Sequence, residues 1–265
     1  MLFMKIRDLN NLYTAEDICA YAAGPYGITV LPETDSTNRD VRAMAENGAP
    51  EGTAVFAFRQ TAGYGRMGRP FFSPAGTGLY FSVLLRPQKD CDPAKITLTA
   101  AVAAAEAVEE CTGISLQIKW VNDLYKEGKK VAGILAQGVA DPKGGLSYCI
   151  LGIGLNVFSP AQGFGELSSI ADALCPAEEE HLFPRLAAAI LDRFFEHYHR
   201  NDFARCLAIY RRRAYLTGKT VTVVRGNEHF RGIVTGIDDT GALLLETDGK
   251  TFAFSSGEIA LEDYR

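Results

Sequence analysis

The chain has 265 residues, 47% of them apolar and 22% charged, with a formal net charge of −5. A chain of that length buries a sizeable core without disulfides or metals, and this balance excludes a disordered, collagen-like or disulfide-scaffold protein. It also disfavours a mainly electrostatic nucleic-acid binder, which would be basic.

The first residues, MLFMKIRDLNNLY, contain no long apolar stretch, so no signal peptide is expected. No uncharged run approaches the ~20 residues that span a bilayer. Thr14 and Asp17 suit a capping box on a brief helix ending near Gly24. The first thirty residues are too short for a helix-turn-helix domain of about three packed helices. A helix is expected from Asn38 to Asn47, closed by Gly48, with Thr37 and Asp40 as its capping box. Ala54–Phe58 and Leu79–Arg86 read as strands. Asp92 and Pro93 are the N-cap and first turn of an Ala-rich helix that runs to Cys111 and stops near Gly113. Ser115–Trp120 alternates, with Leu116, Ile118 and Trp120 on one face. Val131–Val139 and Tyr148–Val157 are two further strands, separated by a turn at Asp141–Gly145. Helices follow at Leu182–His199 and Asp202–Arg213. From Gly218 the texture changes to short β runs (Thr220–Val224, Phe230–Ile237, Leu243–Glu246, Thr251–Phe254), the pattern of a small β-barrel beginning near Leu216. The six cysteines (Cys19, Cys91, Cys111, Cys149, Cys175, Cys206) form no C-x-x-C pair and read as reduced thiols of a cytoplasmic protein.

Four segments carry chemistry. Gly63, Gly65 and Gly68 match G-x-G-x-x-G literally, but Pro70 and Pro74 follow where a dinucleotide-binding motif must open a helix, and no acid stands ~20 residues on. That leaves a glycine loop with three arginines (Arg59, Arg66, Arg69), suited to an anion such as phosphate or carboxylate; a solvated surface loop is the plain alternative. Lys119-Trp-Val-Asn122-Asp123 ends a strand, and a hairpin turning near Gly128 brings Asn122 and Asp123 to Lys130. That pair could clamp an acyl or phosphoryl group and accept a proton, or be only a cross-strand ion pair. In Gly152-Ile-Gly154-Leu-Asn156-Val the glycines and asparagine share one face, which calls for something packed directly on the backbone, a flat ligand or a neighbouring side chain. Ser36, Thr37 and Asn38 stand at a helix start, where hydroxyls cap the helix or hold a polar ligand.

In this order the segments resemble biotin–protein ligases (biotin–[acetyl-CoA-carboxylase] ligases). The resemblance is carried by Thr34-Asp-Ser36-Thr37-Asn38, Gln60, Gly63-Tyr64-Gly65-Arg66-x-Gly68-Arg69 with Phe72-Ser73-Pro74, Lys119-Trp120-x-Asn122-Asp123, Lys130-x-x-Gly133-Ile134-Leu135 and Gly152-x-Gly154-x-Asn156. It implies an α/β (α+β) protein: a class II synthetase-like mixed-sheet catalytic domain over 1–215 and a C-terminal SH3-like β domain over 216–265. The implied reaction joins biotin and MgATP into biotinyl-5′-AMP, then passes the biotinyl group to one lysine of a biotin carboxyl carrier protein. Biotin, ATP and Mg²⁺ are thus implied as substrates, with Mg²⁺ carried by ATP and no protein metal site. By the same resemblance Ser36, Thr37, Asn38 and Gln60 hold the biotin ring, while Gly152 and Gly154, with Gly133 and Asn156, let it approach the sheet. Gly63–Arg69, including Tyr64 and Gly65, orders over the adenylate with Arg66 and Arg69 at the phosphate; Lys119 and Asn122 line the site. Lys130 neutralises the meeting carboxylate and α-phosphate, and Asp123 orients or deprotonates the acceptor amine.

Three departures from the family pattern stand out: Tyr64 where arginine is usual, Val121 for proline, and Glu262 near the place of an ATP-contacting arginine. The expected type is monofunctional, with neither nucleic-acid nor membrane partners; a homodimer is compatible with the resemblance. A lipoate–protein ligase is the rival enzyme, disfavoured by the glycine-arginine loop and the Lys-Trp-Val-Asn-Asp hairpin. A biotin-binding regulator without catalysis is the rival from another class, and intact Arg66, Lys130 and Asp123 speak against it.

Overall fold

The computed structural model describes residues 12–87, 92–175, 179 and 181–261, so Cys91 and Glu262 lie outside the described residues. A seven-stranded mixed sheet is built from β1 (Gly27–Leu31), β2 (Thr53–Ala57), β3 (Gly78–Leu85), β4 (Gln117–Lys119), β5 (Asp123–Lys126), β6 (Lys129–Ala140) and β7 (Leu146–Asn156). Their spatial order is β1-β2-β3-β7-β6-β5-β4, with β1 and β2 parallel and the other pairs antiparallel. The helices are α1 (Ala15–Cys19), α2 (Thr37–Glu46), α3 (Pro93–Thr112), α4 (Leu182–His199) and α5 (Phe203–Arg212). A second, five-stranded antiparallel sheet follows: β8 (Thr220–Arg225), β9 (Glu228–Ile237), β10 (Leu243–Thr247), β11 (Lys250–Phe254) and β12 (Glu258–Leu261).

The alternation of β7 divides the molecule. Ile153, Leu155 and Leu151 enter the main core with Ala132 and Ile134 of β6, and α3 is buried against them. The run Ala100–Ala105 lies wholly inside, where small side chains let α3 approach sheet and neighbouring helices closely. The Asp92 carboxylate accepts from the Ala94 amide, Pro93 occupies the first turn, and Gly113 ends the helix in the left-handed region at φ 73°. Asp92→Ala should therefore lower stability by about 1 kcal/mol, read as a shift of the urea midpoint at unchanged slope. The other sheet face is covered at one end by α2, where Val41 and Ala45 meet Val55, Leu84 and Ile150. The remainder of that face stays open, and glycines line it.

Several local expectations need correction. The first helix stops at Cys19 instead of near Gly24. Strands β1 and β12 escaped the sequence reading. The Thr37–Asp40 capping box does not form: Ser36 is the N-cap and makes no side-chain cap bond. Instead Asp40 accepts from the Thr34 hydroxyl at 2.7 Å, and the Thr37 hydroxyl turns inward to Ser82, also at 2.7 Å. The segment after Lys119 makes two turns instead of one. Residues 120–122 turn first, then β5 runs out and reverses at Glu127 and Gly128, both at positive φ (49° and 83°) as a two-residue hairpin loop demands.

Candidate active site

A cavity of about 520 Å³ opens on the glycine face of the large sheet. Every site residue expected from the sequence lines it except Gly63, which lies behind the wall between Gln60 and Ser73. Register explains the convergence. Tyr80, Gly154 and Gly133 lie side by side across β3, β7 and β6, and so do Ser82, Gly152 and Leu135. Paired residues share a face, so one row of close approach crosses three strands.

The floor is covered in part by side chains, the plainer of the two readings of the glycine strand. A Cβ on Gly154 would come within 2.4 Å of the Phe71 ring, and one on Gly152 within 2.3 Å of Asn38 Oδ1. The Phe71 ring also stands over Gly133 and has the Lys130 ammonium 6.0 Å from its centre.

One end of the cavity is polar and buried. Ser36, Thr37 and Asn38 are 2%, 2% and 6% exposed, so every hydrogen bond among them is shielded from water. Gln60 Oε1 accepts from the Thr37 amide at 3.0 Å, and Gln60 Nε2 donates to Ser73 Oγ at 3.1 Å. The Ser82 hydroxyl donates to Asn38 Oδ1 and lies 2.7 Å from the Thr37 hydroxyl, which also donates to Gln60 Oε1 at 3.2 Å. Asn38 Nδ2 donates to Gln137 Oε1 at 2.9 Å. These bonds fix the side chains before any ligand arrives, and the Ser36 hydroxyl keeps its capacity for a ligand.

The other end is charged, with Arg66, Arg69, Lys119 and Lys130 set against the carboxylates Asp123 and Glu258. Lys130 Nζ lies 2.7 Å from Asp123 Oδ1. That oxygen makes no well-aligned hydrogen bond, so the contact is an ion pair and its lone pairs are not saturated. Desolvation holds the Lys119 ammonium below the ordinary lysine range; Asp123 opposes this and Lys130 adds to it. Asn122 is oriented by donating Nδ2 to the Ile134 carbonyl at 2.8 Å, which turns its oxygen to Arg66 at 3.4 Å. Lys119 donates to the Tyr125 hydroxyl at 3.2 Å, and Asn156 to the Asp172 carbonyl at 3.0 Å.

The glycine loop is not helical beyond one short turn at Arg66–Gly68, which agrees with rejecting a dinucleotide motif. Arg59 does not join the site; it pairs with Glu33 on the surface. The small β domain supplies a wall that the sequence did not disclose. Arg66 donates to the Gly257 carbonyl at 3.4 Å, and Arg69 pairs with Glu258, at the start of β12. Trp120, expected in the core, is buried there and donates its indole N–H to Gly241 at 3.1 Å. Sequence reasoning missed Phe71 and Glu258, which line the cavity, and Ser82 and Gln137, which stand behind the lining and hold Thr37 and Asn38. Among the described residues, no cluster of three or more His, Cys, Asp or Glu could hold a metal ion.

Residues 30–156 match the biotin/lipoate A/B protein ligase family, and residues 216–261 match the biotin protein ligase C-terminal domain. The biotin–[acetyl-CoA-carboxylase] ligase of Mycobacterium tuberculosis is 32% identical over 88% of this chain and 88% of its own. The bifunctional ligase/repressor BirA of Bacillus subtilis is 35% identical over 85% of this chain and 71% of its own. The solved biotin protein ligase from Aquifex aeolicus, in complex with biotin and ATP, superposes with a TM-score of 0.75 at 28% identity, covering 89% of this chain and 98% of that one.

Proposed function

This chain belongs to the biotin protein ligases, and from that premise we propose how its own residues carry out the reaction. It is an ATP-dependent ligase that activates biotin as biotinyl-5′-AMP and transfers the biotinyl group to a biotin-dependent carboxylase. In our reading residues 1–215 form the catalytic domain and 216–265 a domain that closes one wall of its cavity. The observation that carries the mechanism is the Lys130–Asp123 ion pair, set between a polar ring-sized end and an arginine loop in one cavity.

In the first step a biotin carboxylate oxygen attacks the α-phosphorus of ATP. The new P–O bond forms as the α–β anhydride breaks and pyrophosphate leaves. Lys130 offsets the repulsion between the two anions as they meet, and Arg66 and Arg69 hold the phosphate end. Mg²⁺ would enter as part of the nucleotide substrate and would offset charge on its phosphates. In the second step a lysine amine of the carrier protein attacks the carboxyl carbon. A C–N bond forms, the C–O bond to phosphate breaks, AMP leaves, and the amine proton passes to Asp123. Closure of the glycine loop keeps water from the mixed anhydride between the steps.

The polar end selects biotin. Ser36, Thr37, Asn38 and Gln60 present donors and acceptors that a ureido ring can satisfy and a dithiolane cannot, and unpaired buried polar groups are costly. ATP–pyrophosphate exchange should therefore run with biotin and fall by at least about 10²-fold with lipoate. Exchange with lipoate in place of biotin would move the assignment to the sister enzyme. A folded protein that binds biotin without exchange would be the non-catalytic regulator. The carrier domain as acceptor and a cytoplasmic location belong to the same proposal, which the scattered cysteines, with no C-x-x-C pair, suit. No described helix is long and apolar enough to cross a membrane.

A further inference from the structure

Gln137 lies four residues beyond Gly133 on β6, on the same face, at the far side of the polar end. Its side-chain oxygen accepts from two donors, Asn38 Nδ2 at 2.9 Å and the Tyr64 hydroxyl at 3.0 Å. Asn38 belongs to the first turn of α2 and Tyr64 to the glycine loop, so one oxygen ties together two segments that both line the cavity. We propose that Gln137 is a positioning residue for biotin: by holding Asn38 and Tyr64 with one acceptor, it fixes the ring end of the cavity and latches the glycine loop over the bound ring. This inference rests on the biotin reading above.

The hydrogen-bond polarity requires an acceptor at position 137. Asn38 Oδ1 already receives the Ser82 hydroxyl, so its amide must face Gln137. A flipped Asn38 would set its oxygen against Gln137 Oε1, acceptor against acceptor, and would give up the Ser82 hydroxyl as a donor to that oxygen. Asn38 has little room to adjust, because its oxygen fills the space where a Gly152 side chain would begin. Tyr64 donates its single proton to the same Gln137 oxygen, while the Arg39 guanidinium lies 5.8 Å from the centre of its ring. Tyr64 and Gln137 are both uncharged, so the latch between loop and strand is a neutral hydrogen bond. Removing the acceptor frees both partners at once.

The test compares Gln137→Met, Gln137→Glu and Tyr64→Phe, alone and with Q137M and Y64F combined, in the full-length protein. Q137M should raise the biotin KM by about tenfold or more, with kcat at saturating biotin and the KM for ATP within about twofold of wild type. Q137E keeps the acceptor and should recover most of that loss. Y64F should raise the biotin KM by about threefold to tenfold, and the double variant should be no worse than Q137M alone, as expected for one shared oxygen. Proportional rises in both KM values with a falling kcat would mark Q137M as general damage and overturn the proposal. So would a Q137E that behaves like Q137M, or fully additive single effects. If Q137M does not fold, an unchanged biotin KM in Y64F overturns the latch by itself. Direct biotin binding by calorimetry separates this inference from the catalytic reading. A wild type that binds biotin without exchange, and loses affinity in Q137M, keeps the positioning role and removes the catalysis; a wild type that binds no biotin overturns both.

Discussion

Replacing Lys130 by alanine should lower biotin-dependent ATP–pyrophosphate exchange by about 10²- to 10³-fold, the range seen when one preorganised charge-stabilising donor is removed. Two losses act together. In the proposed mechanism the cation that offsets the carboxylate and the α-phosphate disappears. Asp123, only 21% exposed, loses the ammonium 2.7 Å away and then repels the same two anions. The fold should survive, since Lys130 is 34% exposed and a partly solvated ion pair contributes at most about 1 kcal/mol. Exchange kinetics and a thermal melt measured on the same sample separate the two effects. Unchanged turnover in a folded K130A protein would remove Lys130 from the mechanism. An equal loss of melting temperature and activity would make it structural.

Gly152→Ala should raise the biotin KM by about 10²-fold, the penalty of displacing a ligand-positioning group by about 1 Å. The added methyl would stand 2.3 Å from Asn38 Oδ1 and 3.1 Å from its Cγ, so Asn38 must move. A side chain tip can often step aside, but this one is held by Ser82 at its oxygen and by Gln137 at its nitrogen. Moving it breaks both bonds inside a site sheltered from water, where unpaired polar atoms are most costly. In the proposed reading ATP occupies the charged end, so its KM should change little. A G152A protein with the wild-type biotin KM would show that Asn38 moves freely and does not shape the ring end.

Some of this was legible because the signal is local. The alternation of Gly152–Val157 declares one apolar and one open face without knowledge of any partner strand, since side chains must alternate on a pleat. The Asp92-Pro93 start and Gly113 stop of α3 depend only on backbone groups within a turn of each end. The hairpin that brings Asp123 to Lys130 joins residues seven positions apart and is likewise a short-range matter. Thr37 and Asp40 show where local reasoning fails. A capping box is worth about 1 kcal/mol, but the hydroxyl lies 2.7 Å from Ser82, 45 residues away, inside the protein, and leaving that buried pair unmade would cost about 1–3 kcal/mol. The long-range contact therefore takes Thr37, and the cap is given up.

By itself the sequence determined the order of motifs, the alternating faces, the two ends of α3 and the chemical types gathered for an adenylating ligase. Only the tertiary structure decided which groups meet across the cavity. Gln137 reaches Asn38 over 99 residues, and Arg69 reaches Glu258 over 189. Nothing in the spacing of such residues records the meeting, because register between strands and the seating of one sheet beside another are set by burial of the whole core, not by any local period. For the same reason Arg59, beside the glycine loop in sequence, turns to Glu33, while Glu258, at the far end of the chain, faces that loop.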